Sequence, residues 1–101
     1  LRSQSRSWGF VGAALQRSGR HREAVAWMAD WSARDDAQPH QYAPLALALL
    51  NLGETQQVKS VADHADTLPL AAANDTIRVI GASAEILDGN ASGAAARLDS
   101  V

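Results

Sequence analysis

Three histidines, His21, His40 and His64, are the side chains best suited to hold a metal or move a proton. A helical metal site needs two ligands three or four residues apart on one face, and none of the three is so placed. Asp63, His64 and Asp66 fall close together, but that grouping reads as a solvated helix face. The chain has no cysteine, which removes thiolate ligands, disulfides and a cysteine nucleophile together. A serine nucleophile needs an oriented base; no Gly-x-Ser-x-Gly elbow occurs, and the serines fall in turns and polar flanks. Asp35 and Asp36 are adjacent carboxylates without the apolar pocket that an acid–base pair requires. Gly9-x-x-Gly12 lacks both a preceding strand and a following Lys-Ser/Thr, so it does not read as a phosphate loop. The expectation is therefore no catalytic residue, no metal and no cofactor: a chain that is not an enzyme.

The elements around these residues must come from a chain of 101 residues, 47% apolar and 20% charged. That is one globular domain, able to bury roughly two-thirds of its unfolded surface without staples. Alanine supplies 21 residues and β-branched or aromatic types are few, which favours helix over sheet. The longest apolar run, residues 43–50, is interrupted by Pro44 and too short for a membrane span. No signal segment opens the chain, and its final residues read as a helix in progress, so a piece of a longer protein is expected. Absence of cysteine suits a cytoplasmic or a periplasmic setting almost equally, with the cytoplasmic one slightly favoured. Charge is uneven. Residues 1–23 carry five arginines against Glu23, or +4, and the remainder carries four cations against ten acids, or −6. That dipole could steer an acidic partner or a second copy of the chain. No basic stripe interleaved with aromatics accompanies it, so nucleic acid is not an expected partner.

Periodicity is the strongest signal. Gly19, Gly53 and Gly89 mark three breaks, 34 and 36 residues apart, each between two helical patterns. Trp8, Val11, Gly12 and Leu15 form an i, i+3, i+4, i+7 stripe, and Ala24, Trp27, Met28 and Trp31 form the next. Tyr42, Leu45, Ala46 and Leu49 lead to Val58, Ala62 and Ala65. Ile77, Ile80, Gly81 and Ala84 lead to Ala94 and Leu98. Ala24, Val58 and Ala94 are also 34 and 36 apart, which suggests one extra residue in the third turn. Gly12, Ala46 and Gly81 are expected where paired helices cross closely. Pro44 conflicts with a helix begun at Pro39, so that helix either starts late, near Tyr42, or kinks. Residues 32–38 read as a solvated loop, and Asn74 or Asp75 as the cap of the fifth helix. Trp8 and Trp31 are expected in the core, and His21 with its ring over the helix pair.

The pattern resembles the tetratricopeptide repeat (TPR), a 34-residue helix–turn–helix reading W-x2-L-G-x2-Y, then A-x3-F, then P. Here the marks are Trp8-x2-Val11-Gly12-x2-Leu15 with Ala24-x3-Met28, Tyr42-x2-Leu45-Ala46-x2-Leu49 with Val58-x3-Ala62 and Pro69, and Ile77-x2-Ile80-Gly81-x2-Ala84 with Ala94-x3-Leu98. The resemblance implies an all-α fold of three helix–turn–helix repeats, about 5–36, 39–70 and a truncated 74–101, stacked as a short right-handed α-solenoid. It also implies a concave groove for a protein or peptide partner. The residues assigned to that groove are Ala13, Gln16 and Arg17, then Ala43, Leu47, Leu50 and Asn51, then Arg78, Ala82 and Glu85, with Gly9 beside the first set. Trp27, at the edge of its stripe, is the aromatic candidate for a contact. The carboxylate clamp of one TPR subset is missing, because its positions hold Gly9, Ala13, Pro44, Asp75 and Val79. The implied function is an interaction scaffold or peptide-binding module. Two other readings are an accessory or regulatory domain of a larger enzyme or secretion machine, and a module that oligomerises through its open ends.

Overall fold

A computed structural model describes residues 5–34, 36–68 and 75–99, with side chains from residue 7 onward. Asp35, Pro69 and Asn74, all invoked above, lie outside the described residues. Within them the chain is helical and without strands: α1 (Ser5–Arg17), α2 (His21–Trp27), α3 (Ala43–Asn51), α4 (Thr55–Asp66), α5 (Asp75–Leu87) and α6 (Ala91–Leu98). Two 3-10 turns, Trp31–Ala33 and Pro39–Tyr42, fill the link between α2 and α3.

The three glycine breaks share one backbone solution. Gly19, Gly53 and Gly89 have φ of 80°, 77° and 77°, a left-handed conformation that costs a residue without Cβ nothing. The residue after each glycine donates its N–H to the carbonyl five residues back: Arg20 to Leu15, Glu54 to Leu49 and Asn90 to Glu85, at 2.8–2.9 Å. Each glycine donates to the carbonyl three back, which completes a Schellman end. The following helix then starts at once, so α1–α2, α3–α4 and α5–α6 are tight pairs. Beyond the pairs, α3 packs on α1 and α2, and α5 packs on α3 and α4. The core runs through all three pairs, from Trp8 and Met28 through Tyr42, Leu45, Leu49, Val58 and Val61 to Ile77 and Ala84.

Small residues stand where the helices cross. Gly12 is buried, and a Cβ there would run into Met28 Sδ and stand 3.0 Å from its Cγ. Ala46 has no exposed surface, and Gly81 would place a Cβ 3.2 Å from that of Ala62.

Several expectations need correction. α2 ends at Trp27, so Trp31 lies outside it, half-buried at the head of a 3-10 turn. The cause is a tightening of the ladder: Met28 N–H still bonds four back, whereas Ala29 and Trp31 bond only three back. The link 32–38 is not simply solvated. Arg34 is 8% exposed, with its guanidinium 5.0 Å from the Trp8 ring centre and 3.1 Å from Asp30, and Ala37 joins the core. The Pro44 conflict resolves as a late start. Residues 39–42 form a 3-10 turn closed by Gln38 and Gln41, and Pro44 falls in the first turn of α3, where no N–H is needed. The extra residue of the third unit sits within α5, not in its turn, because Ala24, Val58 and Ala94 each stand five after their glycine.

Candidate functional site

An apolar hollow lies between α1 and α3, a groove of about 390 Å³. Its walls are Gly9, Phe10, Ala13, Gln16 and Arg17 from α1, His40 and Gln41 from the 3-10 turn, and Ala43, Pro44 and Leu47 from α3. Local sequence shapes it. A Cβ on Gly9 would lie 3.1 Å from Gln41 Cβ, so glycine lets the capping side chain of Gln41 close the floor. Alanine at 13 and 43 and the flat ring of Pro44 leave the space between the helices open. Phe10 is 78% exposed, the most exposed large apolar side chain described. Arg17 stands exposed at one end and His40 at the rim. Arg17 makes no ion pair among the described residues.

Five of the assigned residues, Ala13, Gln16, Arg17, Ala43 and Leu47, therefore come together in one groove, with Gly9. Leu50 and Asn51 lie beyond it on α3. Leu50 packs against the core, and Asn51 donates its side-chain amide to the Leu47 carbonyl at 2.9 Å. Ala82 is buried. Arg78 and Glu85 line a different hollow, of about 320 Å³, with Asp63, Asp66, Gly93 and Arg97. The shift of Glu85 follows from the extra residue in α5, which turns everything after it by about 100°. Glu85 stands four before Gly89, as Leu15 stands before Gly19 and Leu49 before Gly53. It thus takes a leucine's place and is only 5% exposed.

That second hollow is an ion-pair lattice across α4, α5 and α6. Glu85 accepts from Asn90 Nδ2 at 2.6 Å and faces Lys59 Nζ at 3.4 Å and Arg97 at 3.9 Å. Asp88 takes Lys59 Nζ at 2.6 Å, the Thr55 hydroxyl at 2.7 Å and the Gln56 amide at 3.3 Å. Arg97 reaches Asp63 at 3.0 Å, and Arg78 reaches Asp66 at 3.2 Å. The Lys59 hydrogen bond, then that of Thr55, holds the Asp88 carboxyl below the usual carboxylate range, and the bond to Asp88 raises Lys59. Every carboxylate of this cluster meets a cation, so the cluster joins α4, α5 and α6.

The histidines stand on three separate elements. His64 turns away from the solvated face expected for it: Asp63 and Asp66 are exposed, while the His64 ring packs edge-on to Trp31 and Tyr42 at 5.3 and 5.4 Å. The Tyr42 hydroxyl lies 3.3 Å from His64 Nε2 and donates to the Trp31 carbonyl at 3.1 Å. His21 is half-buried at the start of α2, and His40 is exposed. Among the described residues no three His, Asp or Glu side chains converge as a metal set would. Trp27 is half-buried, and its indole N–H donates to the Trp8 carbonyl at 3.0 Å.

Sequence reasoning overlooked Phe10, the groove's largest side chain. Its signal was phase: an aromatic off the 8, 11, 12, 15 stripe is one that the core does not use. Comparison with protein-family models, with curated proteins and with solved structures gave no match.

Proposed function

We propose that the chain is a protein-interaction module: three TPR-like helical pairs stacked as a short right-handed superhelix, holding a partner peptide between α1 and α3. The groove carries this reading, because an exposed phenyl ring, small-residue walls and an exposed arginine stand in one hollow. The recurrence of the same glycine turn and the packing of each pair on the next support the repeat stack. The favoured ligand is a segment with a bulky apolar side chain for the Phe10–Leu47 floor and an acidic group for Arg17. Ordering such a segment costs free energy, so affinity in the micromolar range is expected of so small a groove.

The test is selection of displayed random peptides on the 101-residue chain. Winners should share an apolar residue near an acid and should lose binding to Arg17→Glu, an exposed change that leaves the circular dichroism spectrum intact. Selection without enrichment, or winners that bind Arg17→Glu as well as the parent, would remove the basis for the reading.

A further inference from the structure

The hollow between α1 and α3 is basic at both ends, and no carboxylate stands among its described lining residues. Gly9 and Arg17 are eight residues apart on α1, about 12 Å along its axis. A Cβ on Gly9 would stand 3.1 Å from that of Gln41, so the Pro39–Tyr42 turn meets the groove at the Gly9 end. That turn brings the exposed His40 to this end, and Arg17 holds the other. Between them lie the exposed Phe10 ring and Leu47. A hollow of about 390 Å³ does not admit a helix about 10–12 Å across, but it takes a few residues of extended chain. Extended chain advances about 3.3 Å per residue and turns every second side chain to the same side. Residues i and i+4 then stand about 13 Å apart, the span of the groove, with i+2 facing the same wall between them.

We propose that the groove takes a short extended segment of the form acid-x-apolar-x-acid, Arg17 and His40 each receiving one acid and Phe10 with Leu47 the apolar side chain. This rests on the peptide-binding reading above and adds to it the second acid, its spacing and a pH dependence. Histidine gains its charge as pH falls from about 8 to about 5, so binding tightens on mild acidification while the ligand's carboxylates stay ionised. The turn that holds His40 packs on α1, α3, α4 and α5. From α1 comes Arg17, which keeps its charge throughout, and α3 has no ionisable side chain. His64 of α4 packs its ring on Tyr42, and the other charges of α4 and α5 are paired with one another or with Asp88 and Arg97. His40 is thus the groove residue whose charge changes in this range.

The test uses the peptide Gly-Asp-Ser-Leu-Ser-Asp-Gly, acetylated and amidated so that its ends carry no charge, and the two forms with one Asp replaced by Asn. Amide NMR titrations of the isotopically labelled chain read binding at Ala13 and Leu47. At about pH 6 the two-acid peptide should bind about two- to fivefold more tightly than either one-acid form, the worth of one exposed ion pair. That advantage should shrink at about pH 8 and vanish at both values in His40→Asn, a change at an exposed site. An extra serine before the second Asp turns that acid to the other side and should act like its removal. One-acid and two-acid peptides that bind the parent alike, and Arg17→Glu not at all, overturn the two-ended grip and leave a groove with a single arginine. A gain on acidification that persists in His40→Asn also overturns it. No shift with any peptide at about 5 mM overturns this proposal too, and leaves the groove reading to its displayed library.

Discussion

Lys59 on α4 and Asp88, just past the end of α5, form the shortest ion pair between different helical pairs, at 2.6 Å. Together with Thr55 and Gln56 it pins the start of α4 to the end of α5. The corresponding junction between the first and second pairs is made instead by Trp8 against Tyr42 and by Trp31 against His64. One junction is ionic and the other aromatic, so acid and salt should act on them differently.

The pH dependence follows from the two shifted groups. Asp88 is held low in the fold, so its contribution is present above the usual aspartate value and is lost as pH falls through its depressed one. Lys59 is held high, so its contribution is present below the usual lysine value and fades only as pH rises through the raised one. Asp88→Asn should therefore lower Tm near neutrality, and the difference from the parent should shrink as pH falls well below the usual aspartate value. Paired thermal melts from neutrality downwards check it; a difference independent of pH would mean that the Lys59 pair contributes nothing.

How much of this was legible beforehand depended on whether a residue's role was local. The glycine turns and the stripes 8–15 and 42–49 followed from spacing, because each helix must bury one face and each turn must reverse the chain. Of the residues opposite those stripes, Gly9, Ala13, Gln16, Arg17, Ala43 and Leu47 line the hollow between α1 and α3, whereas Leu50, Asn51, Arg78, Ala82 and Glu85 do not. Glu85 was misplaced because one inserted residue in a continuous helix changes its facing without changing its helicity. Arg34 and His64 were misread as solvated because their partners, Trp8 and Tyr42, are 26 and 22 residues away. Burial of a polar side chain against a ring is a property of the assembled pairs, and no local pattern announces it.

Gly12 sets the spacing of the first pair. A leucine there must displace Met28, which has no exposed surface into which to move. Gly12→Leu should cost about 1–3 kcal/mol by overpacking. Urea melts with an unchanged m-value and a lower midpoint are the expected result; an unchanged midpoint would mean that the α1–α2 crossing is looser than the packing of Met28 implies.

Phe10 separates binding from folding. Its ring is mostly in water, so Phe10→Ala should change stability by no more than about 0.5 kcal/mol, the range of ordinary surface substitutions. The same change should weaken a selected groove peptide markedly, because truncating a central aromatic typically costs about 2 kcal/mol or more, some thirtyfold in Kd. Calorimetric titration beside a thermal melt reads both quantities. Equal loss of stability and affinity would return Phe10 to the core.

Glu85 offers the sharpest energetic test, because the repeat itself states the alternative. Leu15 and Leu49, which hold the same place before their glycines, are apolar, and Leu49 is 1% exposed. Glu85 brings a carboxylate into that environment and is answered by Lys59, Arg97 and the Asn90 amide. Burying a charge costs several kcal/mol, and the attraction of its partners recovers that only when the geometry is excellent. Here both cations have closer acids, Asp88 for Lys59 and Asp63 for Arg97, so neither is stranded when Glu85 is removed. Only the Asn90 amide loses an acceptor, and Asn90 is exposed to water. Glu85→Leu should therefore stabilise the chain by about 1 kcal/mol, within the range seen when buried ion pairs give way to apolar residues. Glu85→Gln, which keeps the shape and an acceptor without the charge, should fall between leucine and the parent. Chemical denaturation at neutral pH ranks the three. If both variants are less stable than the parent, the carboxylate is a net source of stability, and the ion-pair lattice is worth more than its desolvation.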